Sequence, residues 1–321
     1  MNISQQKYLI TGGAGFIGSN IVEYLLKNGA GQVRVLDNLS TGNIKNILPF
    51  MENPRFEFIN GDITNYKTCL EAVRDIEYIS HQAALGSVPR SLKDPILSNN
   101  ANVLGFLNML TAAKDSPTCK SFVYASSSSV YGDSKSLPKR EGEEGNVLSP
   151  YALTKMINEN YSEIFSKCYG FKSVGLRYFN VFGPNQNPEG DYAAVIPKFI
   201  KTMLIGNSPI INGDGNISRD FTFVDNVVQA NIKCLLKENT GLSNSSIYNV
   251  ACGDRITLFQ LVESINEILG LNIKPILGPF RKGDINHSHA DISNIIQDFE
   301  YSPSISFKKG IEATIEWYRN Q

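Results

Sequence analysis

A chain of 321 residues is long enough for one large α/β unit or two domains. Its 30 basic and 31 acidic residues, net charge −1, leave no electrostatic footprint for nucleic acid or an anionic membrane. Hydrophobic residues make up 42% and charged residues 19%, as in an ordinary globular protein. No apolar stretch approaches the roughly 20 residues that span a bilayer.

Met1-Asn2-Ile3-Ser4 leads into the first strand without an apolar signal segment, so a cytoplasmic protein is expected. That strand ends in Tyr8-Leu9-Ile10-Thr11-Gly12-Gly13-Ala14-Gly15-Phe16-Ile17-Gly18, where an apolar run meets a glycine cluster. A helical pattern (Phe16, Ile17, Ile21, Leu25, Leu26) begins at once. Glycine there permits a tight turn and lets a phosphate approach the N–H groups at the helix start. The spacing, Gly12-x-x-Gly15-x-x-Gly18, differs from the G-x-G-x-x-G dinucleotide fingerprint, and a βα turn can use glycine for geometry alone. A second strand, Gln32 to Asp37, ends in an acid about twenty residues beyond Gly18, the separation of a carboxylate that binds the adenosine ribose. Asp37 can also cap the turn Asn38-Leu39-Ser40-Thr41-Gly42. Strand, glycines, helix, strand and acid together favour a dinucleotide site, and an acid there repels a 2′-phosphate, so NAD is expected over NADP.

Phe56–Ile59 leads into Asn60-Gly61-Asp62-Ile63-Thr64, and Ile76–Ser80 into His81-Gln82-Ala83-Ala84; ligands sit at such strand ends in doubly wound sheets. A helical pattern spans Pro95 to Ala113. The fifth strand, Ser121–Ala125, runs into the serines Ser126 to Ser129 and Val130-Tyr131-Gly132. Residues 133–147 form a charged surface loop, and Ser149-Pro150 opens a helix. Its Tyr151, Lys155, Asn158 and Tyr161 share one face. A strand from Ser173 to Tyr178 follows. Beyond it glycine and proline punctuate short, mixed elements. The expected architecture is a Rossmann-type doubly wound parallel sheet over residues 1–178, rejoined by segments near 221–250, and a smaller mixed α/β substrate domain over 179–321.

Cys69, Cys119, Cys168, Cys234 and Cys252 are scattered without C-x-x-C spacing and read as free thiols. His287-x-His289 lacks nearby partners at ligand spacing, so no metal is expected. Tyr151-x-x-x-Lys155 is the candidate catalytic pair. A free tyrosine titrates near ~10, and a lysine one turn on with a positive nicotinamide ring would lower that value. The same spacing also arises by chance on amphipathic helices. Its weight comes from the glycine turn upstream and the serine cluster before it.

Gly12-x-x-Gly15-x-x-Gly18, Ser127, Tyr151 and Lys155, with Leu176-Arg177-Tyr178-Phe179-Asn180-Val181-Phe182-Gly183, resemble the extended short-chain dehydrogenase/reductase family of nucleotide-sugar enzymes. Ser218-Arg219-Asp220-Phe221 and Arg281-x-x-Asp284 match family positions that grip the nucleotide diphosphate, so the resemblance covers essentially the whole chain. It implies cofactor contacts at Gly12, Gly15, Phe16, Ile17, Gly18, Asp37, Asn38, Ser40 and Gly42. Further contacts fall at Asp62, Ile63, Gln82, Ala83, Ala84, Asn102, Tyr151, Lys155 and Tyr178. Family 4,6-dehydratases carry Asp-Glu before Val-Tyr-Gly, and UDP-glucuronate decarboxylases a Glu at the second position. Here Ser128 and Ser129 stand there, which leaves 4-epimerisation as the simplest chemistry.

By the same resemblance Tyr151, as phenolate, removes the proton from sugar O4 while NAD takes hydride from C4, and Ser127 bonds O4 and relays the proton. Lys155 keeps the tyrosine acidic. The 4-keto sugar then presents its other face, and NAD ends as it began. Substrate contacts are implied at Ser87, Ser127, Ser128, Tyr151, Asn180, Ala194, Val195, Asn212, Arg219, Arg281, Asp284 and Ser288. Paired arginines suit a diphosphate because planar forked donors bind phosphate oxygens two at a time.

His81-Gln82-Ala83-Ala84-Leu85-Gly86-Ser87-Val88-Pro89-Arg90-Ser91 resembles the version in bacterial epimerases of N-acetylated UDP-hexosamines. Ser288 stands where members that exclude acetylated sugars carry tyrosine. The resemblance therefore implies UDP-GlcNAc/UDP-GalNAc interconversion, extending to the uronic acids. UDP-glucose epimerisation and UDP-glucuronate decarboxylation are the enzymic alternatives, and an inactive NAD-linked sensor the non-enzymic one. Apolar faces at Leu104–Ala113 and Tyr151–Cys168 suit a four-helix homodimer contact or burial within the monomer.

Overall fold

The computed structural model describes residues 3–189, 194–237, 246–279 and 287–321. Its first half alternates strands and helices: β1 (Lys7–Thr11), α1 (Phe16–Lys27), β2 (Gln32–Asp37), β3 (Phe56–Asn60), α2 (Tyr66–Val73) and β4 (Tyr78–His81). Then come α3 (Val88–Lys93), α4 (Pro95–Asn99), α5 (Gly105–Asp115), β5 (Ser121–Ser127), α6 (Pro150–Tyr169) and β6 (Val174–Tyr178). β4 ends later than the pattern suggested, at His81, and β5 carries its ladder to Ser127 opposite Tyr178.

Past β6 the elements shorten: β7 (Val181–Phe182), α7 (Val195–Leu204), β8 (Ile210–Asn212), β9 (Ser218–Arg219), β10 (Thr222–Phe223) and α8 (Val224–Leu236). The chain closes with β11 (Ser246–Val250), β12 (Ile256–Thr257), α9 (Leu258–Leu269), β13 (Ile276–Gly278), α10 (Ser293–Phe299) and α11 (Phe307–Arg319). Seven strands form one parallel sheet in the order β11-β6-β5-β4-β1-β2-β3. The order reverses between β1 and β4, and a crevice opens there at the carboxyl ends of the strands. β11 pairs with β6 from Ser246 opposite Val174 to Val250 opposite Tyr178. β7 pairs with β10, β8 with β13 and β9 with β12 as separate two-stranded ribbons.

Parallel strands covered on both faces read as apolar runs, and Tyr8, Leu9 and Ile10 of β1 are fully buried. One face carries Phe106, Met109 and Leu110 of α5 with Cys69 and Val73 of α2, against Leu9, Leu36 and Phe122. The other is covered by Ile21, Val22 and Leu25 of α1 with Val228 and Ile232 of α8, against Tyr8, Ile10 and Val35. Burying each such Leu or Ile contributes about 1.5–3 kcal/mol. A separate cluster joins Phe199 of α7, Leu261 of α9 and Ile311 of α11 to Phe182 and Phe223. The cysteines are free thiols. No helix among the described residues is long and apolar enough to cross a membrane.

α6 starts where expected: the Ser149 hydroxyl accepts from Ala152 N, Pro150 occupies the first turn, and left-handed Gly170 ends it. The pattern from Pro95 onward is one continuous run in which a π-helical turn, Asn100–Leu104, joins α4 to α5. Such a turn rotates the side chains that follow it and is frequent at functional sites.

Candidate active site

A cleft of about 1020 Å³ runs along the carboxyl ends of β1, β2, β4 and β5. Its floor is the glycine turn. Gly12 has φ +67°, and a Cβ on it would meet Ala83 N at 2.7 Å. A Cβ on Gly18 would run into Gly12 O, so the turn and α1 sit closer than any side chain allows. A Cβ on Gly15 meets only Gly12 O, at 3.1 Å, and would stand in the cleft that Gly15 lines. Gly15 also caps α1 without a side-chain bond, leaving the first-turn N–H groups facing a cradle that an anion fits.

Asp37 serves both readings of its position. Its Oδ2 accepts from Ala14 N at 2.9 Å and its Oδ1 from Leu39 N at 2.8 Å, pinning the glycine turn to the loop after β2. Burial raises its pKa, against those two N–H groups, and the residue lines the cleft. Gly42 closes on this carboxylate, since a Cβ there would lie 2.9 Å from Oδ2. Asn38 Nδ2 donates to Asp62 Oδ2 at 2.8 Å. Burial pushes Asp62 up, but bonds from Thr64 and Asn38 outweigh it and leave its pKa lowered. Ser40, Ile63, Ala83 and Ala84 line the same wall with Phe16 and Ile17.

Behind the cleft lies a buried polar layer. Thr11 Oγ1 is 2.8 Å from His81 Nδ1 and accepts from Ala83 N at 3.2 Å. Burial, and then the charge of Lys155, hold His81 neutral with its pKa lowered to about 3. Gln82 Nε2 donates to Ser80 Oγ at 2.9 Å and Asn231 Oδ1 at 3.1 Å, while its Oε1 accepts from Tyr178 OH at 3.1 Å. Asn231, from α8, donates to Tyr178 OH at 2.8 Å. Gln82 and Tyr178 are thus fixed on the cleft wall by a partner far along the chain.

The structure brings Ser127, Tyr151 and Lys155 together on that wall. Ser127 ends β5 and lines the cleft with Tyr151 and Lys155. Tyr151 is half-buried in the first turn of α6, and its backbone N donates to Ser91 Oγ of α3 at 3.0 Å. Burial raises the phenol's pKa, and the Ser127 hydroxyl opposes that rise. Lys155, one turn on, donates from Nζ to Ala125 O at 2.8 Å. Burial lowers its pKa to about 8, against the pull of Glu159. The Lys155 ammonium is thus engaged on the carbonyl end of β5, one helical turn beyond Tyr151. Beneath the lysine, Glu159 takes Arg177 Nε at 2.9 Å, Arg177 Nη2 at 2.7 Å and Ser126 Oγ at 2.5 Å. Glu144 takes the remaining arm of Arg177.

Asn102 is not on the cleft wall. It accepts from Leu85 N at 2.7 Å and donates to Leu85 O and Thr154 Oγ1, so it ties the loop after β4 to α6. Its neighbours Asn100 and Ala101, turned by the π-helical segment, line the cleft instead. Ser87 caps α3, accepting from Arg90 N at 3.3 Å, while Gly86 and Arg90 on either side of it face the cleft. Ser128 is also off the wall.

The remaining substrate candidates lie toward the ribbons. Asn180 lines the cleft and donates from Nδ2 to Asp220 O at 3.1 Å. Ala194 caps α7 and Val195 is its first residue. Asn212 ends β8 opposite Gly278, and Arg219 sits in β9 opposite Ile256. Ser288 N donates to Ser218 O at 3.0 Å, which sets Ser288 beside Arg219. Arg281 and Asp284 lie outside the described residues. Asp220 assembles this region: its carboxylate accepts from Cys252 N at 3.0 Å and Ala290 N at 3.2 Å, and burial pushes its pKa up to about 6.

Sequence reasoning missed Arg90 and the apolar wall of Leu97, Ala101 and Leu104, which carry no chemical signature in isolation. It missed Ser91 and Asn231 for a different reason: their partners lie 60 and 53 residues away.

Comparison with known proteins agrees with this geometry. Residues 8–251 match the NAD dependent epimerase/dehydratase family. A putative UDP-glucose 4-epimerase of Methanocaldococcus jannaschii is 38% identical over 314 residues, covering 97% of this chain and 98% of that one. The structure of a UDP-N-acetylglucosamine 4-epimerase from Methanobrevibacter ruminantium, in complex with UDP-N-acetylmuramic acid, superposes with TM-score 0.91 at 37% identity, covering 99% of each chain. A UDP-glucuronic acid 4-epimerase from Bacillus cereus, in complex with UDP-glucuronic acid and NAD, gives TM-score 0.89 at 30% identity over 98% of this chain and 99% of that one. Sequence, fold and cleft converge: the chain belongs to the NAD dependent epimerase/dehydratase family, and its similarity to UDP-sugar 4-epimerases extends over its whole length.

Proposed function

We propose that the chain is an NAD-dependent 4-epimerase of UDP-hexosamines, interconverting UDP-GlcNAc and UDP-GalNAc and accepting their uronic acids. The observation that carries this reading is the meeting of Ser127, Tyr151 and Lys155 on one wall of a cleft whose floor is the glycine cradle. Two further observations support it. The positions where relatives that eliminate or decarboxylate hold carboxylates are Ser128 and Ser129 here. A UDP-N-acetylglucosamine 4-epimerase is also among the similar structures.

The cradle fits a dinucleotide diphosphate, with Gly12, Gly15 and Gly18 at its phosphates, Asp37 and Asn38 at the adenosine ribose, and Lys155 and Tyr178 near the nicotinamide end. NAD, when bound, supplies reversible oxidation at sugar C4. The protein's part is acid–base. Tyr151, as phenolate, takes the O4 proton and later returns it, Ser127 stabilises the phenolate, and Lys155 adds a positive charge below it. The neutral His81 keeps a second charge away from that lysine. Asn180, Ala194, Val195, Asn212, Arg219, Arg281 and Asp284 hold UDP, and Ser288 leaves room for the 2-acetamido group.

We assign residues 1–178 and the β11 region to cofactor binding and 179–321 otherwise to UDP-sugar binding. Leu104, Leu153 and Ile164 are exposed on the helices proposed for a homodimer contact. Cysteines kept as free thiols fit a cytoplasmic setting. The test is incubation with UDP-GlcNAc and, separately, UDP-glucose and UDP-glucuronate without added NAD, followed by separation of the sugars. UDP-GalNAc is the expected main product. Released CO₂ with NADH from UDP-glucuronate would favour decarboxylation, and no turnover an inactive binder.

A further inference from the structure

The serine cluster after β5 contains an arrangement with a direct consequence for proton transfer. Ser127 Oγ accepts two hydrogen bonds from one residue: from Ser129 N at 3.1 Å and from Ser129 Oγ at 2.9 Å. A hydroxyl has one proton to give and two lone pairs to receive with. Both lone pairs of Ser127 are filled, so its proton is what it has left to give, and Tyr151 lines the same cleft.

The backbone at Ser129 is held in place. The short helical turn Ser128–Tyr131 is closed by Gly132 N donating to Ser129 O at 3.1 Å. Beyond it Val130 and Tyr131 are buried, and Tyr131 OH is anchored on Asn249 Oδ1 at 2.7 Å.

We propose that Ser129 is a positioning residue that makes Ser127 a one-way donor, so that the sugar proton passes directly to Tyr151 and not through Ser127. The inference rests on the epimerase reading above. In the step, the O4–H bond breaks, the proton bonds to the Tyr151 phenolate oxygen, and the negative charge moves from that oxygen to O4. On the return half the same proton goes back. A relay through Ser127 needs a free lone pair to accept the O4 proton, and Ser129 occupies it. A carboxylate at position 129 would pull the Ser127 proton toward itself. The serine there gives a hydrogen and leaves the Ser127 proton to the phenol.

The groups on the elements around Tyr151 are Lys155 and Glu159 on α6, His81 on β4, Tyr124 on β5, Arg177 and Tyr178 on β6, and Arg90 on α3. Ser129→Ala leaves all of them in place and removes one hydroxyl.

The experiment compares wild type, Ser129→Ala, Ser129→Thr and Ser129→Cys, with carbon-13 at the tyrosine ring carbon bonded to oxygen and the Tyr151 signal assigned by Tyr151→Phe. In Ser129→Ala the Ser127 hydroxyl can rotate away, and the Tyr151 midpoint should rise by about one unit, a roughly tenfold loss of phenolate at fixed pH. Ser129→Thr should restore the wild-type midpoint, and Ser129→Cys, a weak donor of similar size, should fall between. During turnover of UDP-GlcNAc, kcat should fall in Ser129→Ala with KM little changed. Its dependence on deuterium fraction should be linear in wild type, for one proton in flight, and curved in Ser129→Ala, where the relay becomes available. A Ser129→Ala midpoint and deuterium dependence equal to wild type would overturn the proposal, and so would a curved dependence in wild type. If wild type turns over no UDP-hexosamine, the functional reading fails, while the tyrosine titration, which needs no substrate, still decides the role of Ser129.

Discussion

Replacing Arg177 with Met should be among the most damaging single changes outside the cofactor turn, because it strands a buried carboxylate. The side chains of Arg177 and Glu159 are 5% and 9% exposed, and they meet through Nε–Oε1 at 2.9 Å and Nη2–Oε2 at 2.7 Å. Arg177 also lies 4.8 Å from the Tyr131 ring centre and pairs with Glu144. Met fills most of the volume and supplies none of these donors. Glu159 then keeps Ser126 Oγ, and the expected loss is about 3–5 kcal/mol of folding stability. Glu159→Gln/Arg177→Met removes both charges together and should recover at least about 2 kcal/mol relative to the sum of the single changes. Urea unfolding followed by far-ultraviolet circular dichroism measures all four proteins. A loss below about 1 kcal/mol in Arg177→Met, or simple additivity in the double variant, would show that the pair is not the buried, mutually dependent unit described above.

Asp220 should give stability a pH dependence of its own. Burial raises its folded pKa from 3.8 to about 6, so between those values the folded chain holds the proton more tightly than the unfolded one. Its contribution is complete below about pH 4 and is lost as pH rises through 6. Asp220→Asn cannot titrate, so the urea midpoint of wild type minus that of the variant should be larger at pH 4 than at pH 7. A difference independent of pH contradicts the assignment. Ser288→Tyr should cut kcat/KM for UDP-GlcNAc by at least about tenfold relative to UDP-glucose. An unchanged ratio removes Ser288 from the sugar pocket.

The parts of the site legible in the sequence are those built by neighbours in the chain. Gly12, Gly15 and Gly18 belong to one βα turn, Asp37 ends the next strand, and Tyr151 and Lys155 are one helical turn apart. Local spacing encodes each of them. Long-range partners are not encoded that way. Ser91 caps Tyr151 from another helix, Asn231 fixes Gln82 and Tyr178 from α8, and Asp220 joins segments around 252 and 290. Their residue types suit any surface loop, and topology alone supplies their partners. Asn102 likewise holds Leu85 and Thr154 through partners its spacing does not announce, while its neighbours Asn100 and Ala101 line the cleft. The seventh strand, β11, follows nearly seventy residues of ribbons and helices after β6. It falls within the 221–250 region expected to rejoin the sheet, but its apolar pattern is too short to mark its bounds.

In the proposed reaction, chemistry begins and ends at sugar C4, with its hydrogen removed and returned inside one cleft. Turnover of UDP-GlcNAc in deuterium oxide, with the products examined by proton NMR, tests it most directly. The expected result is UDP-GalNAc with the original hydrogen still on C4 and no deuterium on carbon, and no product from Tyr151→Phe. Deuterium at C4 or C5 in the product, or undiminished turnover by Tyr151→Phe, would contradict it.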